Sequence, residues 1–217
     1  MKNIQGAIFD VDGTLLDSME IWDNAAANYL ISMGASPRPG LNEELRDLGG
    51  HEIPLYFKKK YGISKTETEI QNGIYQTLHD SYINNAPLKE GALDVLNLFR
   101  DRKINICVAT ATDRHLVEPA LRRCGIYDYF SRIFTCGEER TSKSSSEIYI
   151  RAAKHLGSEI SQTLVFEDAL YAVKSAADAG FKVIGVYDSG EQDYQDEISK
   201  LCHRYYKVIS EFIHDFM

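Results

Sequence analysis

The 217-residue chain is poor in several things, and each shortage narrows what it can do. Its four cysteines, Cys107, Cys124, Cys136 and Cys202, lie far apart and form neither a CxxC pair nor a spacing suited to zinc. They are expected as free, buried thiols, which fits a reducing cytoplasm. No stretch approaches the ~20 apolar residues that cross a bilayer. The opening MKNIQGAIFD carries one lysine but no long apolar run, so no secretory signal is expected there. Positive charge is also short: 24 Lys and Arg stand against 32 Asp and Glu, for a net charge of −8. A nucleic-acid groove or an anionic membrane surface would need a positive face, so a small molecule is the expected partner. Internal repeats and low-complexity segments are absent. What remains, 44% hydrophobic and 26% charged residues, is the composition of a globular chain with one large domain or a domain plus an insert.

Short, nearly continuous apolar runs recur in the second part of the chain: INICVAT (104–110), RIFTC (132–136), TLVFED (163–168) and KVIGV (182–186). Such runs suit strands of a parallel sheet covered on both faces. Amphipathic stretches at 116–124, 147–156 and 169–179 alternate with them, which predicts a doubly wound α/β sheet. A first strand at 6–9 has the same character, yet no strand follows it until residue 104. Between them, SMEIWDNAAANYLISMG, HEIPLYFKKKYG and KTETEIQNGIYQTLHDSYI carry helical spacing. We therefore expect an α/β core domain (1–15 and 87–217) and an inserted all-helical cap domain (16–86), with GASPRPG a loop inside the insert and NNAPLKEG a turn-rich return.

The opening GAIFDVDGTLLDS poses a problem of charge. Asp10 and Asp12, one residue apart after an apolar strand, repel each other if both are ionised and unpaired. In an open parallel sheet, ligands bind beyond the carboxyl ends of the strands near a topological switch point. Asp10 and Asp12 would lie there, as would Thr110 and Thr112 after the second strand and Glu167 and Asp168 after TLVFED. Lys143 lies in the loop that opens the next helix. Hard oxygen ligands on a rigid scaffold suit Mg2+, which offsets the repulsion. One aspartate can then act as nucleophile and its neighbour as general acid and base. Gly13 would let the backbone pass close to a bound phosphoryl group, whose oxygens the amides of the turn could bind. The plainer alternatives are a solvated turn for Asp10 and Asp12, a helix cap for Glu167 and Asp168, an ordinary strand end for Thr110 and a solvated lysine for Lys143.

DVDGTLLDS resembles the first motif of the haloacid dehalogenase superfamily, whose phosphatase branch reads DxDGT. CVATATDR, Lys143 and VFEDALYAVKSAADAGFKVIGV follow in the order of its second, third and fourth motifs. The resemblance covers essentially the whole chain, and the insert is similar to the helical cap of the β-phosphoglucomutase-like and phosphoglycolate-phosphatase-like branch. It implies that Asp10 forms an aspartyl-phosphate and that Asp12 protonates the leaving oxygen and later activates water. It further implies phosphate binding by Thr110, Ala111 and Gly13, and charge neutralisation by Lys143. Mg2+ would be held by Asp10, the backbone carbonyl of Asp12, and Asp168, with Glu167 as a ligand or a partner of the ligands. Two departures stand out: KSSSE replaces the proline-rich run that usually follows the lysine, and EDALYA places Ala169 and Ala172 where serine and glycine are common.

In the insert, His51 and Gly50 sit in LGGHEIP, where a double glycine suits a loop reaching towards substrate. In sequences resembling β-phosphoglucomutase a histidine lies ten residues after the acid-base aspartate; here that position is Trp22, either packing in the cap or forming an apolar wall to the substrate. An indole has one N–H donor and no titratable proton, so it cannot do the work of an imidazole. The expectation is a cytoplasmic, Mg2+-dependent phosphatase of a small phosphorylated metabolite, with a sugar phosphate as the favoured class. A phosphomutase is the alternative, and a receiver-like or non-catalytic phosphate-binding domain a more distant one. The oligomeric state is left open, and a monomer is compatible with every feature above.

Overall fold

The protein was studied as a computed structural model, which describes residues 3–46, 48 and 50–216. It divides into two compact units, Met1–Met19 with Ala86–Met217, and Glu20–Asn85. In chain order, β1 (Gly6–Phe9) is followed by α1 (Met19–Ser32), α2 (Leu41–Arg46), α3 (Ile53–Tyr61) and α4 (Glu67–Asn85). Then come α5 (Ala92–Asp101), β2 (Asn105–Thr110), α6 (Arg114–Arg123), β3 (Ile133–Thr135), α7 (Cys136–Glu139) and α8 (Glu147–Leu156). The chain ends with β4 (Thr163–Glu167), α9 (Leu170–Asp178), β5 (Lys182–Val186), α10 (Gln195–Leu201), β6 (Arg204–Tyr206) and α11 (Phe212–Phe216).

The six strands form one parallel sheet in the order β3-β2-β1-β4-β5-β6. The α/β class expected from the alternation of apolar runs and amphipathic stretches is therefore the one observed. Strand order reverses between β1 and β4, so the switch point lies there. Side chains alternate along each strand and sort the core into two layers. Phe9 and Phe166 stack at 4.3 Å on one face, where Phe99 of α5 and Phe212 of α11 meet them edge-on. Ile8, Cys107 and Val165 face the opposite layer, against Ile148, Tyr149 and Ala152 of α8 and Val173 and Ala176 of α9. The buried positions of α8 repeat at one-turn spacing, which is why EIYIRAAKHL folds as a helix lying on the sheet.

The helical unit has its own core of Tyr29, Leu30, Leu41, Leu45, Phe57 and Ile70. Gly73 within α4 makes room for the Tyr29 ring, since a Cβ there would stand 2.9 Å from Cδ2. Of the four cysteines, all free, only Cys107 is fully buried; Cys124, Cys136 and Cys202 are half-buried, because each follows the last turn of a helix or begins one rather than lying within a covered strand. Among the described residues, no helix is long and apolar enough to cross a membrane.

Candidate active site

The register of the sheet assembles the site. Phe9 pairs with Phe166, and the Asp10 amide continues the ladder by donating to the Phe166 carbonyl at 3.0 Å. Asp10 therefore comes level with Glu167, and both share the face of Ile8 and Val165 that α8 and α9 cover. Lys143, in the loop before α8, reaches this point from the same side. Its ammonium donates to Asp10 and, at 2.5 Å, to Glu167 Oε1. Tyr149 of α8 donates its hydroxyl to the same Glu167 oxygen at 2.7 Å. Asp168, one residue on, accepts from the Thr14 hydroxyl at 2.9 Å.

Asp10, Glu167 and Asp168 are buried, and each offers a carboxylate oxygen within 4.8 Å of the others. Three carboxylates thus share one ammonium. Burial pushes the Asp10 carboxyl up to about 8, with Lys143 opposing and Glu167 adding to the rise. Asp168 is also raised well above the usual carboxylate range, by burial first and then by Asp10. Burial pulls the Lys143 ammonium the other way, but the charges of Asp10 and Glu167 outweigh it and hold its pKa above the ordinary lysine value. The cluster gathers more negative charge than it neutralises, and its donors are hard oxygens, so the residues fit a divalent cation such as Mg2+. Glu167 is engaged at both oxygens, Oε1 by Lys143 and Tyr149 and Oε2 by the Asp168 amide at 3.3 Å, which leaves Asp10 and Asp168 as the carboxylates better disposed to hold it.

Asp12 is placed differently. Its carboxylate accepts from Ser18 at 2.6 Å and from Thr112 at 2.7 Å. It is not among the three clustered carboxylates, so only its backbone could join them. The Thr110 hydroxyl accepts from the Thr112 amide at 3.0 Å, which leaves its proton to be donated outward, and Ala111 is exposed between them. Gly13 has φ +81°, where a side chain is strained, and its missing Cβ matters for another reason than the expected approach to phosphate: a Cβ would stand 2.7 Å from Asp168 Cγ. Glycine here makes room for the carboxylate of the fourth strand.

The insert residues belong to the helical unit. Gly50 and His51 are exposed in the turn before α3, and Gly49 lies outside the described residues. Trp22, half-buried on α1, packs edge-on against Tyr82 at 5.9 Å. The sequence places Thr112 near the site, two residues after β2, but gives no role to Thr14, Ser18 or Tyr149. Thr14 and Ser18 closely follow the DxDG run, so position alone could have flagged them. For Tyr149 the signal was a tyrosine on the inward face of a helix, whose hydroxyl needs a buried partner.

A family model for haloacid dehalogenase-like hydrolases matches residues 4–180. Hexitol phosphatase B of Escherichia coli (strain K12) is 23% identical over 187 residues, covering 85% of this chain and 84% of its own length. Fructose-1-phosphate phosphatase YqaB of the same strain is 23% identical over 193 residues, covering 83% and 95%. Among solved structures, a Thermotoga maritima protein provisionally named a β-phosphoglucomutase matches with TM-score 0.87 at 20% identity, over 99% of this chain and 100% of its own. A CbbY variant from Rhodobacter sphaeroides, in complex with xylulose 1,5-bisphosphate, matches with TM-score 0.73 at 22% identity over 96% of each chain. The match runs from β1 through α9, the span that contributes Asp10, Lys143, Glu167 and Asp168, and by it the chain belongs to the haloacid dehalogenase-like hydrolase family.

Proposed function

We propose that this hydrolase is a phosphatase of small phosphorylated carbohydrates and that it works through a phosphoryl group carried on Asp10. The observation that carries the reading is the buried ammonium of Lys143 between Asp10 and Glu167, beside Asp168, at the switch point of the sheet. Its curated relatives, named as hexitol and fructose-1-phosphate phosphatases, favour a sugar phosphate as substrate.

In this reading Asp10 attacks phosphorus while the bond to the sugar oxygen breaks. Asp12, oriented by Ser18 and Thr112, delivers a proton to that leaving oxygen. The acyl-phosphate on Asp10 is then attacked at phosphorus by water, whose proton Asp12 accepts, and inorganic phosphate and free Asp10 result. Lys143 balances the charge of Asp10 and of the phosphoryl oxygens, while Thr110 and the amides near Ala111 and Gly13 donate to those oxygens. A Mg2+ held by Asp10, Asp168 and the Asp12 carbonyl would supply positive charge to the phosphoryl oxygens. The helical unit, with Gly50, His51 and Trp22, is read as the part that selects the substrate, and the cytoplasm as the place of action.

The test is a panel of hexose, pentose and hexitol phosphates, assayed for phosphate release with Mg2+ and with chelator. Release confined to the Mg2+ arm is expected, and equal release in both would count against the metal. The Thermotoga maritima neighbour keeps a mutase as the second reading. β-Glucose 1-phosphate with a trace of the bisphosphate separates them: inorganic phosphate is expected, and efficient formation of glucose 6-phosphate would favour the mutase.

A further inference from the structure

Lys143 is gripped at both ends. Its ammonium lies on Asp10 and Glu167, and its backbone carbonyl accepts a hydrogen bond from the Ser175 hydroxyl of α9 at 2.5 Å. A hydroxyl has one proton, and the alternative acceptor, the Ala172 carbonyl, is farther away at 3.2 Å. The bond joins segments 32 residues apart. It also joins two halves of the site, because α9 begins at Leu170, with only Ala169 between it and Asp168.

The residues after Lys143 make this contact consequential. Positions 144–146 are all serine, with no proline to fix φ, so the chain on the C-terminal side of Lys143 has more conformations to lose than a proline-containing run. Locally, one turn closes the loop, from the Ser145 amide to the Ser142 carbonyl at 3.1 Å. That turn sets the loop's own shape, while the Thr141 amide, donating to the Cys136 carbonyl at 3.1 Å, and the Lys143 amide, donating to the Cys136 sulfur, tie the loop to the end of β3. The Ser175 hydroxyl adds the tie to α9 through the carbonyl of Lys143 itself.

We propose that Ser175 is a positioning residue that substitutes for a stiff lysine loop by fixing the Lys143 backbone to α9, so that the ammonium is held on Asp10 as the phosphoryl group transfers. This rests on the role given to Lys143 above. Losing the bond leaves the ammonium its two carboxylates but lets it approach them from a range of backbone positions. The cost falls on turnover more than on substrate binding, since misplacement of a charged group near the reacting atoms is felt mainly in the transition state.

The experiment compares Ser175→Ala and Ser175→Thr in the full chain, using p-nitrophenyl phosphate with Mg2+ as the probe. Ser175→Ala is expected to lower kcat by about 10- to 100-fold with little change in KM, and Ser175→Thr, which keeps a hydroxyl, to recover most of the loss. Unchanged kcat in Ser175→Ala would overturn the proposal, as would equal damage in both variants, which would point to packing. A second readout needs no turnover: amine acylation of each folded protein, followed by mass spectrometry. Lys143 should be protected in wild type and Ser175→Thr and labelled faster in Ser175→Ala, while Lys89, paired with Asp188 at 2.8 Å, serves as an internal reference. Equal gains at Lys89 and Lys143 would mean general loosening and would also overturn it. If the wild type releases no phosphate from any ester, the phosphatase reading fails, and the acylation pattern alone decides the role of Ser175.

Discussion

Gly13 is where a single methyl group would separate the carboxylate cluster from the rest of the fold. Alanine at φ +81° carries left-handed strain of about 1–2 kcal/mol, and its Cβ would push on the Asp168 carboxylate. Gly13→Ala is therefore expected to lower stability by at least that amount and to lose the rise in melting temperature with Mg2+ that the proposed site predicts for the wild type; thermal unfolding with and without Mg2+ checks both. A full Mg2+ response in the variant would show that Asp168 does not need this space. For the opening pair, Asp12→Asn should reduce kcat by about 10²–10⁴, and steady-state phosphate release measures it. Asp10, Asp12, Glu167 and Asp168 could be picked out of the sequence because charged residues at the ends of apolar strands are costly without a purpose, and Lys143 by its place in the loop before α8 and by the resemblance. Thr14 and Tyr149 carried only a signal of position, and Ser175 none. Their partners lie 154, 18 and 32 residues away, and a hydroxyl in a helix or turn looks the same whether or not it has a distant acceptor.

At the scale of elements, α8 joins the core to the site: Ile148 and Ala152 bury its inner face, and Tyr149 on that face donates to Glu167. Tyr149→Phe keeps the packing and removes the donor. Leaving a buried acceptor short of a partner costs about 1–3 kcal/mol, which urea denaturation should detect as a lower midpoint with an unchanged slope. Gly73→Ala addresses the helical unit in the same way, since the added methyl would meet the Tyr29 ring and overpacking costs about 1–3 kcal/mol. The span 147–156 was legible as a helix from its apolar spacing, and β1 from its unbroken apolar run. Several short elements were not, α5 and β6 among them. The helix in ALDVLNLFRD starts directly after the turn formers of NNAPLKEG, which mask its onset although Val95, Leu96 and Phe99 are buried along it. β6 has three residues and lies at the sheet edge with one side partly exposed, so it has neither the length nor the unbroken apolar character of an inner strand.

Over the whole molecule, the dominant feature is a buried excess of negative charge inside a chain that already carries a net −8. Without metal, burial raises the Asp10 carboxyl from its ordinary 3.8 to about 8, so the folded state keeps a proton that the unfolded chain releases. The stability linked to Asp10 is complete below about pH 4 and is lost as pH rises towards 8. In chelator, the melting temperature should therefore fall between pH 6 and pH 8, and saturating Mg2+ should abolish that fall by binding the folded state. A metal-free protein equally stable at both pH values would contradict this balance of charge. The central claim, that Asp10 carries the phosphoryl group, has a more direct test. The enzyme is mixed with a hexose phosphate and Mg2+, quenched in acid within milliseconds, reduced with borohydride to convert any acyl-phosphate into an alcohol, and digested for mass spectrometry. The account predicts reduction at position 10 alone, absent from Asp10→Asn; reduction at Asp12 or Asp168, or full phosphate release by Asp10→Asn, would contradict it.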